Sequence, residues 1–313
     1  MKKIPVIAVV GPTASGKTDL GIEIAKRVNG EIISADSMQI YRQMPIATAA
    51  PTAEEMQGIR HHLVQCVQPD SKYTVAQFVS DAQGIIAEIA AGGRVPVAVG
   101  GTGLYIDSLL NGIRFADELD NTEVRRQIKS DLEKIGTEAM FKRLCAIDPQ
   151  AAAKIHINDT KRVMRAIEIF YLHNKPKSQL DIESQAAESR YDATYIGIYF
   201  SDRSRLYERI DRRVDRMIEN GLLDEARRAY SSRLSGTSVQ AIGHKEFFDY
   251  FEGKRSFDEC VEHLKTQTRR YAKRQLTWFR KNPKINWIAA DLCDPIASAV
   301  EILRGEGYYI GRD

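Results

Sequence analysis

Gly11, Pro12, Thr13, Ala14, Ser15, Gly16, Lys17 and Thr18 stand directly behind the apolar run of residues 6–10. The two glycines let backbone N–H groups turn inward around an anion, Lys17 adds a point charge for two phosphates, and the Thr18 hydroxyl suits Mg²⁺. Leu20, Ile24 and Val28 then recur at helical spacing, so a helix aims its positive end at the same place. This is chemistry for a phosphorylated substrate.

A second group of residues suits proton transfer. Asp36 follows a short apolar run at residues 31–34, in the stretch Ser34, Ala35, Asp36, Ser37, Met38, Gln39. A carboxylate there can hold Mg²⁺ through water or act as a general base. It can equally cap a helix over residues 38–44, which have helical character. Asp202, after a later apolar run, is a rival metal-site carboxylate. Gly100, Gly101, Thr102 and Gly103 form a loop whose bare backbone would let a ligand come close. His61 and His62 are adjacent, so on any regular element they point apart, and they read as structural or surface residues.

These residues need a scaffold, and the apolar runs supply one. Runs at 6–10, 31–34, 95–99 and 195–200 are short, rich in Val, Ile or Ala, and the first three are separated by helical patterns. That is the signature of an α/β fold with a parallel sheet. In such a sheet ligands gather beyond the carboxyl ends of the strands, where 11–18, 36–39 and 100–103 should converge. The segment 115–191 has no strand pattern and reads as an inserted all-helical domain, leaving 1–114 and 192–313 as the core domain. Within it 121–135 is charged and helical. Asp159 should cap a helix running to about His173, with Lys161, Arg162 and Arg165 on one side and Val163, Ile167 and Phe170 on another. Asn174, Lys175 and Pro176 end it, and the polar stretch 178–190 reads as a loop. A charged helix over 205–220 buries Leu206, Ile210, Val214 and Met217; which of its arginines reaches the phosphate site is left open by periodicity.

The 313 residues suffice for one large domain or two smaller ones. Four cysteines lie far apart with no paired spacing, which excludes a disulfide framework or structural zinc and fits a reduced, cytoplasmic setting. No run of eighteen apolar residues occurs, so no membrane span is expected. The net charge of +3 hides a segregation. Residues 263–290 contain eight Lys and Arg and no acid, which leaves the rest of the chain at −5. Tyr271, Trp278 and Phe279 are interleaved with those charges. Basic side chains neutralise phosphates and aromatic faces stack on bases, so this stretch is compatible with RNA.

The combination resembles the tRNA dimethylallyltransferases. The matching segments are 11–18, 34–42 (Ser-Ala-Asp-Ser-Met-Gln-Ile-Tyr-Arg), 100–105 (Gly-Gly-Thr-Gly-Leu-Tyr), 241–246 (Ala-Ile-Gly-His-Lys-Glu) and 268–280 (Thr-Arg-Arg-Tyr-Ala-Lys-Arg-Gln-Leu-Thr-Trp-Phe-Arg), in family order and across nearly the whole chain. The resemblance implies a phosphate-loop core and transfer of dimethylallyl from its diphosphate to N6 of adenosine 37, in tRNAs reading codons that begin with U, with Mg²⁺ as cofactor. It places the general base on Asp36 and a diphosphate arginine on Arg213, with Arg212 and Arg216 as chemical alternatives. It gives the diphosphate to residues 11–18, with Mg²⁺ at Thr18. It gives the tRNA anticodon stem-loop to Asp36, Ser37, Met38, Gln39, Thr102, Arg125, Lys161, Arg162, Val163, Met164 and Arg165, the helical insertion acting as a clamp. The enzyme is expected to be a monomer. The chain departs from the family's usual residues at Pro45, Ala47 and Ala50 and at His244. Other readings of the residues are an isopentenyltransferase acting on free adenine nucleotides, a phosphate-loop small-molecule kinase, and a non-enzymatic RNA-binding protein.

Overall fold

The computed structural model describes residues 3–113, 122–185, 188–232, 238 and 241–311. The strands are β1 (Ile4–Val10), β2 (Gly30–Ser34), β3 (His61–His62), β4 (Val95–Gly100), β5 (Tyr191–Tyr199) and β6 (Ile285–Ala289). They form one sheet of order β3-β2-β4-β1-β5-β6 in which every pairing is parallel. The helices, in chain order, are α1 (Lys17–Arg27), α2 (Pro45–Thr48), α3 (Val75–Ala91), α4 (Gly103–Leu110), α5 (Thr122–Ile147), α6 (Pro149–Ala152), α7 (Thr160–His173), α8 (Lys177–Gln185), α9 (Arg203–Glu219), α10 (Leu222–Ser231), α11 (Phe248–Phe251), α12 (Phe257–Phe279) and α13 (Pro295–Gly305).

A parallel sheet is covered on both faces, which is why its central strands read as unbroken apolar runs. Val6, Ala8 and Val10 point to one face and pack with Phe78 and Ile86 of α3, Ile106 and Leu109 of α4 and Phe279 of α12. Ile7 and Val9 point to the other, with Leu20 and Ile24 of α1 and Leu303 of α13. Complete burial of a side chain such as Ile7, Ile24 or Ile32 contributes about 1.5–3 kcal/mol. Because β2, β4 and β1 are neighbours, the loops that leave their carboxyl ends lie side by side.

The chain divides into two compact units, Met1–Leu110 with Ser189–Asp313, and Asn111–Glu188. The junctions fall a few residues before the expected 114/115 and 191/192. The second does so because β5 already pairs at Tyr191 with Ile4, whose N–H is bound by the Arg190 carbonyl. Residue 114 and the expected helix start at Asn121 lie outside the described residues.

The second unit is helical. Its core holds Ile128, Met140 and Leu144 of α5, Ala152 of α6, and Val163, Ala166 and Ile167 of α7. Asp159 caps α7 by accepting from the Arg162 N–H, and Asn174 ends it in the left-handed conformation. Two expectations are corrected here. The first helix runs on to Ile147 through a break at Gly136, whose φ of 78° glycine alone adopts readily. The stretch after Pro176 is α8 and not a loop, because Asp148 accepts from both the N–H and the hydroxyl of Ser178, at 2.8 and 2.7 Å, and ties the start of the helix down.

Candidate active site

The phosphate loop joins β1 to α1. Gly16 takes φ 91°, and α1 begins at the next residue with no side-chain cap, so its first N–H groups are left for a ligand. The loop is held from outside by two partners. Arg209 of α9 donates to the Ala14 carbonyl at 2.8 Å, and the N–H of Thr13 donates to Gln275 Oε1 at 2.8 Å. Thr13 therefore offers its backbone N–H to the protein, which narrows the expected diphosphate contacts to the rest of the loop. The Ser15 hydroxyl is buried without a protein partner.

Lys17, Thr18, Ser34, Asp36, Gln39, Pro51, His61, Val99 and Gly100 line one narrow cleft that is partly open to solvent. The phosphate loop and Asp36 thus open into the same space. Asp36 Oδ1 accepts from the Met38 N–H at 2.9 Å, so the carboxylate does close a turn. That turn does not start a helix: residues 38–44 wind back until Tyr41 bridges Val67, a pairing distant in sequence that overrides the local pattern. Met38 packs beside Ile40, Tyr41, Met44 and Ala241. The Gln39 amide is committed to the protein, accepting from Ser34 Oγ at 3.0 Å and donating to the Ala49 carbonyl at 3.0 Å and that of Thr48 at 3.4 Å. It is a strut of the wall before it is a ligand contact. His61, in β3, faces the cleft with Nδ1 2.9 Å from the Ile59 carbonyl, and burial pushes its pKa down. His62 instead bonds buried Glu31. Asp202 caps α9 at the surface and does not line the cleft.

The glycine-rich loop serves packing. A Cβ on Gly100 would stand 2.1 Å from the Ala35 carbonyl oxygen, and one on Gly103 would meet the Trp278 ring at the same distance. The close approaches that those positions permit are made by the protein itself. Thr102 Oγ1 accepts from the Ser37 N–H at 3.0 Å, which holds the residue next to Asp36. From α12, Gln275 Nε2 donates to the Gly101 carbonyl at 3.0 Å. The one Gln275 amide thus braces both the phosphate loop and the glycine-rich loop, whose Thr102 holds Ser37.

Charge in the cleft is unbalanced toward positive. Lys17 has its pKa pushed down to about 8, by burial first and then by Arg213, with Asp36 acting in the opposite direction. Burial likewise lowers Arg213, which feels Asp36 and Arg216. Arg213 is therefore the α9 arginine in electrostatic reach of Lys17 and Asp36 together; Arg212 is exposed and bonds to the Glu208 carbonyl. Two half-buried cations that repel one another make a site that an anion would relieve. Thr18 and Asp36 offer hard oxygen donors of the kind Mg²⁺ takes, and among the described residues no cage of His, Cys, Asp or Glu competes with them. Thr18 would hold an ion that arrives on phosphate oxygens, which leaves Asp36 free to accept a proton.

In the helical unit Arg125, Ile128, Lys129, Lys161, Met164, Arg165 and Glu168 line a groove of about 340 Å³. Glu168 is buried and pairs with Arg125 at 3.3 Å and Arg165 at 2.6 Å. Arg162 pairs with Asp159 on the exposed side. Val163 is corrected as an RNA contact: at 1 % exposure its side chain is in the core, where the helical repeat puts it.

The profile of the IPP transferase family matches residues 39–282, and that of the isopentenyl transferases residues 4–68. The chain belongs to the IPP transferase family. It is 46 % identical over 307 residues to the tRNA dimethylallyltransferase of Acetivibrio thermocellus, covering 97 % of each chain. It is 45 % identical over 295 residues to that of Bacillus subtilis, covering 94 % of this chain and 93 % of the relative. Among solved structures, the tRNA isopentenylpyrophosphate transferase of Bacillus halodurans is 41 % identical with a TM-score of 0.72, each chain 97 % covered. A eukaryotic dimethylallyltransferase acting on tRNA is 32 % identical with a TM-score of 0.81, over 97 % of this chain and 79 % of that one.

Sequence reasoning on this IPP transferase missed Gln275 as the support of the phosphate loop. It lies in the basic stretch, and the only signal was spacing: Leu264, Thr268, Ala272, Gln275 and Phe279 lie on the buried stripe of α12. A glutamine on a buried stripe must find partners for both ends of its amide. The basic residues of the same helix divide: Lys265 and Arg269 pair with Asp215 and Asp211 of α9, while Arg270, Lys273 and Arg274 are exposed.

Proposed function

We propose that this IPP transferase moves a dimethylallyl group from dimethylallyl diphosphate to N6 of adenosine 37 in tRNAs reading codons that begin with U. The observation that carries the reading is that Lys17, Thr18 and Asp36 line one cleft within electrostatic reach of half-buried Arg213. The chemistry needs both ends of that space. The bond from the allylic carbon to oxygen breaks, a bond from the same carbon to N6 forms, and the N6 proton must leave. An exocyclic amine shares its lone pair with the purine ring and is a weak nucleophile, so Asp36 takes that proton. Charge builds on the departing diphosphate, and Lys17, Arg213 and the N–H groups at the start of α1 stabilise it. Mg²⁺ held by Thr18 would add Lewis-acid stabilisation of the same oxygens.

The target base must leave its stack to reach Asp36. Ser37, Met38 and Thr102 then border it, and the groove of Arg125, Lys161, Met164 and Arg165 grips the anticodon stem through phosphates. The phosphate loop is read as a diphosphate site and not an ATP site. A monomer in the cytoplasm completes the proposal; the described cysteines are all unpaired, and no helix among the described residues is long and apolar enough to cross a membrane.

One assay tests it. Labelled dimethylallyl diphosphate is incubated with unmodified tRNA carrying A36 and A37, without ATP. Label on the RNA is expected; label only on free AMP would mark a nucleotide enzyme, and γ-phosphate transfer from added ATP a kinase.

A further inference from the structure

One wall of the cleft hangs on a buried carboxylate to which the chemistry above gives no role. Glu225 of α10 has 1 % of its side chain exposed, and His244 has 2 %. Glu225 Oε1 accepts from His244 Nε2 at 2.8 Å and from the Ala47 N–H at 2.9 Å, while Oε2 accepts from the Ile46 N–H at 3.0 Å. Those two N–H groups open α2. Pro45 before them has no N–H to offer, and a helix of four residues cannot hold itself through its own hydrogen bonds. At its other end α2 presents the Thr48 and Ala49 carbonyls to the Gln39 amide, and Gln39 is bound in turn by Ser34. Gln39, Ser34 and Pro51 line the cleft with Asp36. A continuous path of hydrogen bonds therefore joins His244 to the wall beside the carboxylate.

We propose that Glu225 and His244 are positioning residues for the acceptor end of the cleft: the buried pair fixes α2, and α2 fixes Gln39 and the wall next to Asp36. The inference rests on the reading of Asp36 as the group that meets the acceptor base. Removal of the imidazole leaves Glu225 buried with two backbone donors only, and α2 then shifts to let the carboxylate find water. Small displacements of a wall remote from the chemistry are felt in turnover.

The experiment is a mutant cycle on tRNA prenylation, with pyrophosphate affinity by calorimetry and melting temperature measured on every variant. His244→Leu is expected to lower kcat/KM for tRNA about ten- to a hundredfold with pyrophosphate affinity unchanged. His244→Gln should recover most of that loss, since its amide can donate to Glu225 from the place of Nε2. Adding His244→Leu to Gln39→Leu should cost nothing beyond Gln39→Leu alone, because both cut one path. If His244→Leu does not fold, Glu225→Gln takes its place in the cycle. Additive losses, a His244→Gln variant as impaired as His244→Leu, or losses that match the folded fraction would each overturn the proposal. An Asp36→Ala variant with normal turnover would instead remove the acceptor reading, and the coupling between positions 244 and 39 would still be read from the cycle.

Discussion

The molecule carries cations in two settings that treat charge in opposite ways. Around the cleft, Lys17 and Arg213 are half-buried and repel one another, so the site stores unfavourable electrostatics that an anion relieves. In the groove of the helical unit, Arg125 and Arg165 are 59 % and 51 % exposed and share the buried Glu168. Burial makes a charge strong and selective, whereas exposure makes it weak, adaptable and sensitive to salt. The first suits stabilisation of a leaving group at one point, and the second suits a long polyanion.

That contrast breaks if the two sets of substitutions affect the same quantity. Asp36→Ala should reduce turnover about 10²–10⁴-fold with tRNA affinity retained. Rates from single-turnover prenylation alongside filter binding check this, and normal turnover would take Asp36 out of the mechanism. Arg213→Gln should cost about 10²–10³-fold in kcat, and Arg212→Gln little, which separates the half-buried arginine from its exposed neighbour.

Acidity sharpens the contrast further. Lys17 is charged below its lowered pKa of about 8 and begins to lose its proton above it, while a bound diphosphate restores proton affinity. Pyrophosphate binding should therefore take up protons above about pH 8 and weaken by up to about tenfold per pH unit. Calorimetry in buffers of different ionisation enthalpy reads the uptake directly, and Lys17→Met should abolish it. The smallest effect is expected in the groove: Arg165→Ala should weaken tRNA binding several-fold and make the salt dependence shallower by about one unit of slope, with kcat unchanged. A drop in kcat there would erase the distinction.

The parts legible in the sequence are those whose cause is local. The phosphate loop, the strands β1, β2 and β4, the Asp159 cap and the apolar stripes of α7 and α9 follow from spacing over a few residues. Elements with distant causes were not legible. The two-residue strand β3 exists because Ile32 and Ile33 pair with it, and β6 was hidden inside the basic stretch. The helix α8 has no apolar repeat; it stands on Asp148 and on the pair Lys177–Asp181. In the site, Asp36 and Lys17 could be named because strand ends converge in any parallel sheet. Gln275 and the pair of Glu225 and His244 could not, since their partners lie 262, 174 and 179 residues away for Thr13, Gly101 and Ile46, and even the 19 between Glu225 and His244 carry no local signature.

The bond between Gln275 and Thr13 also has a bearing on biosynthesis. A chain emerging from the ribosome exposes its phosphate loop 262 residues before the side chain that braces it. Until α12 folds back, the nascent protein has the motif without that brace, and donor binding should switch on only once α12 has been made.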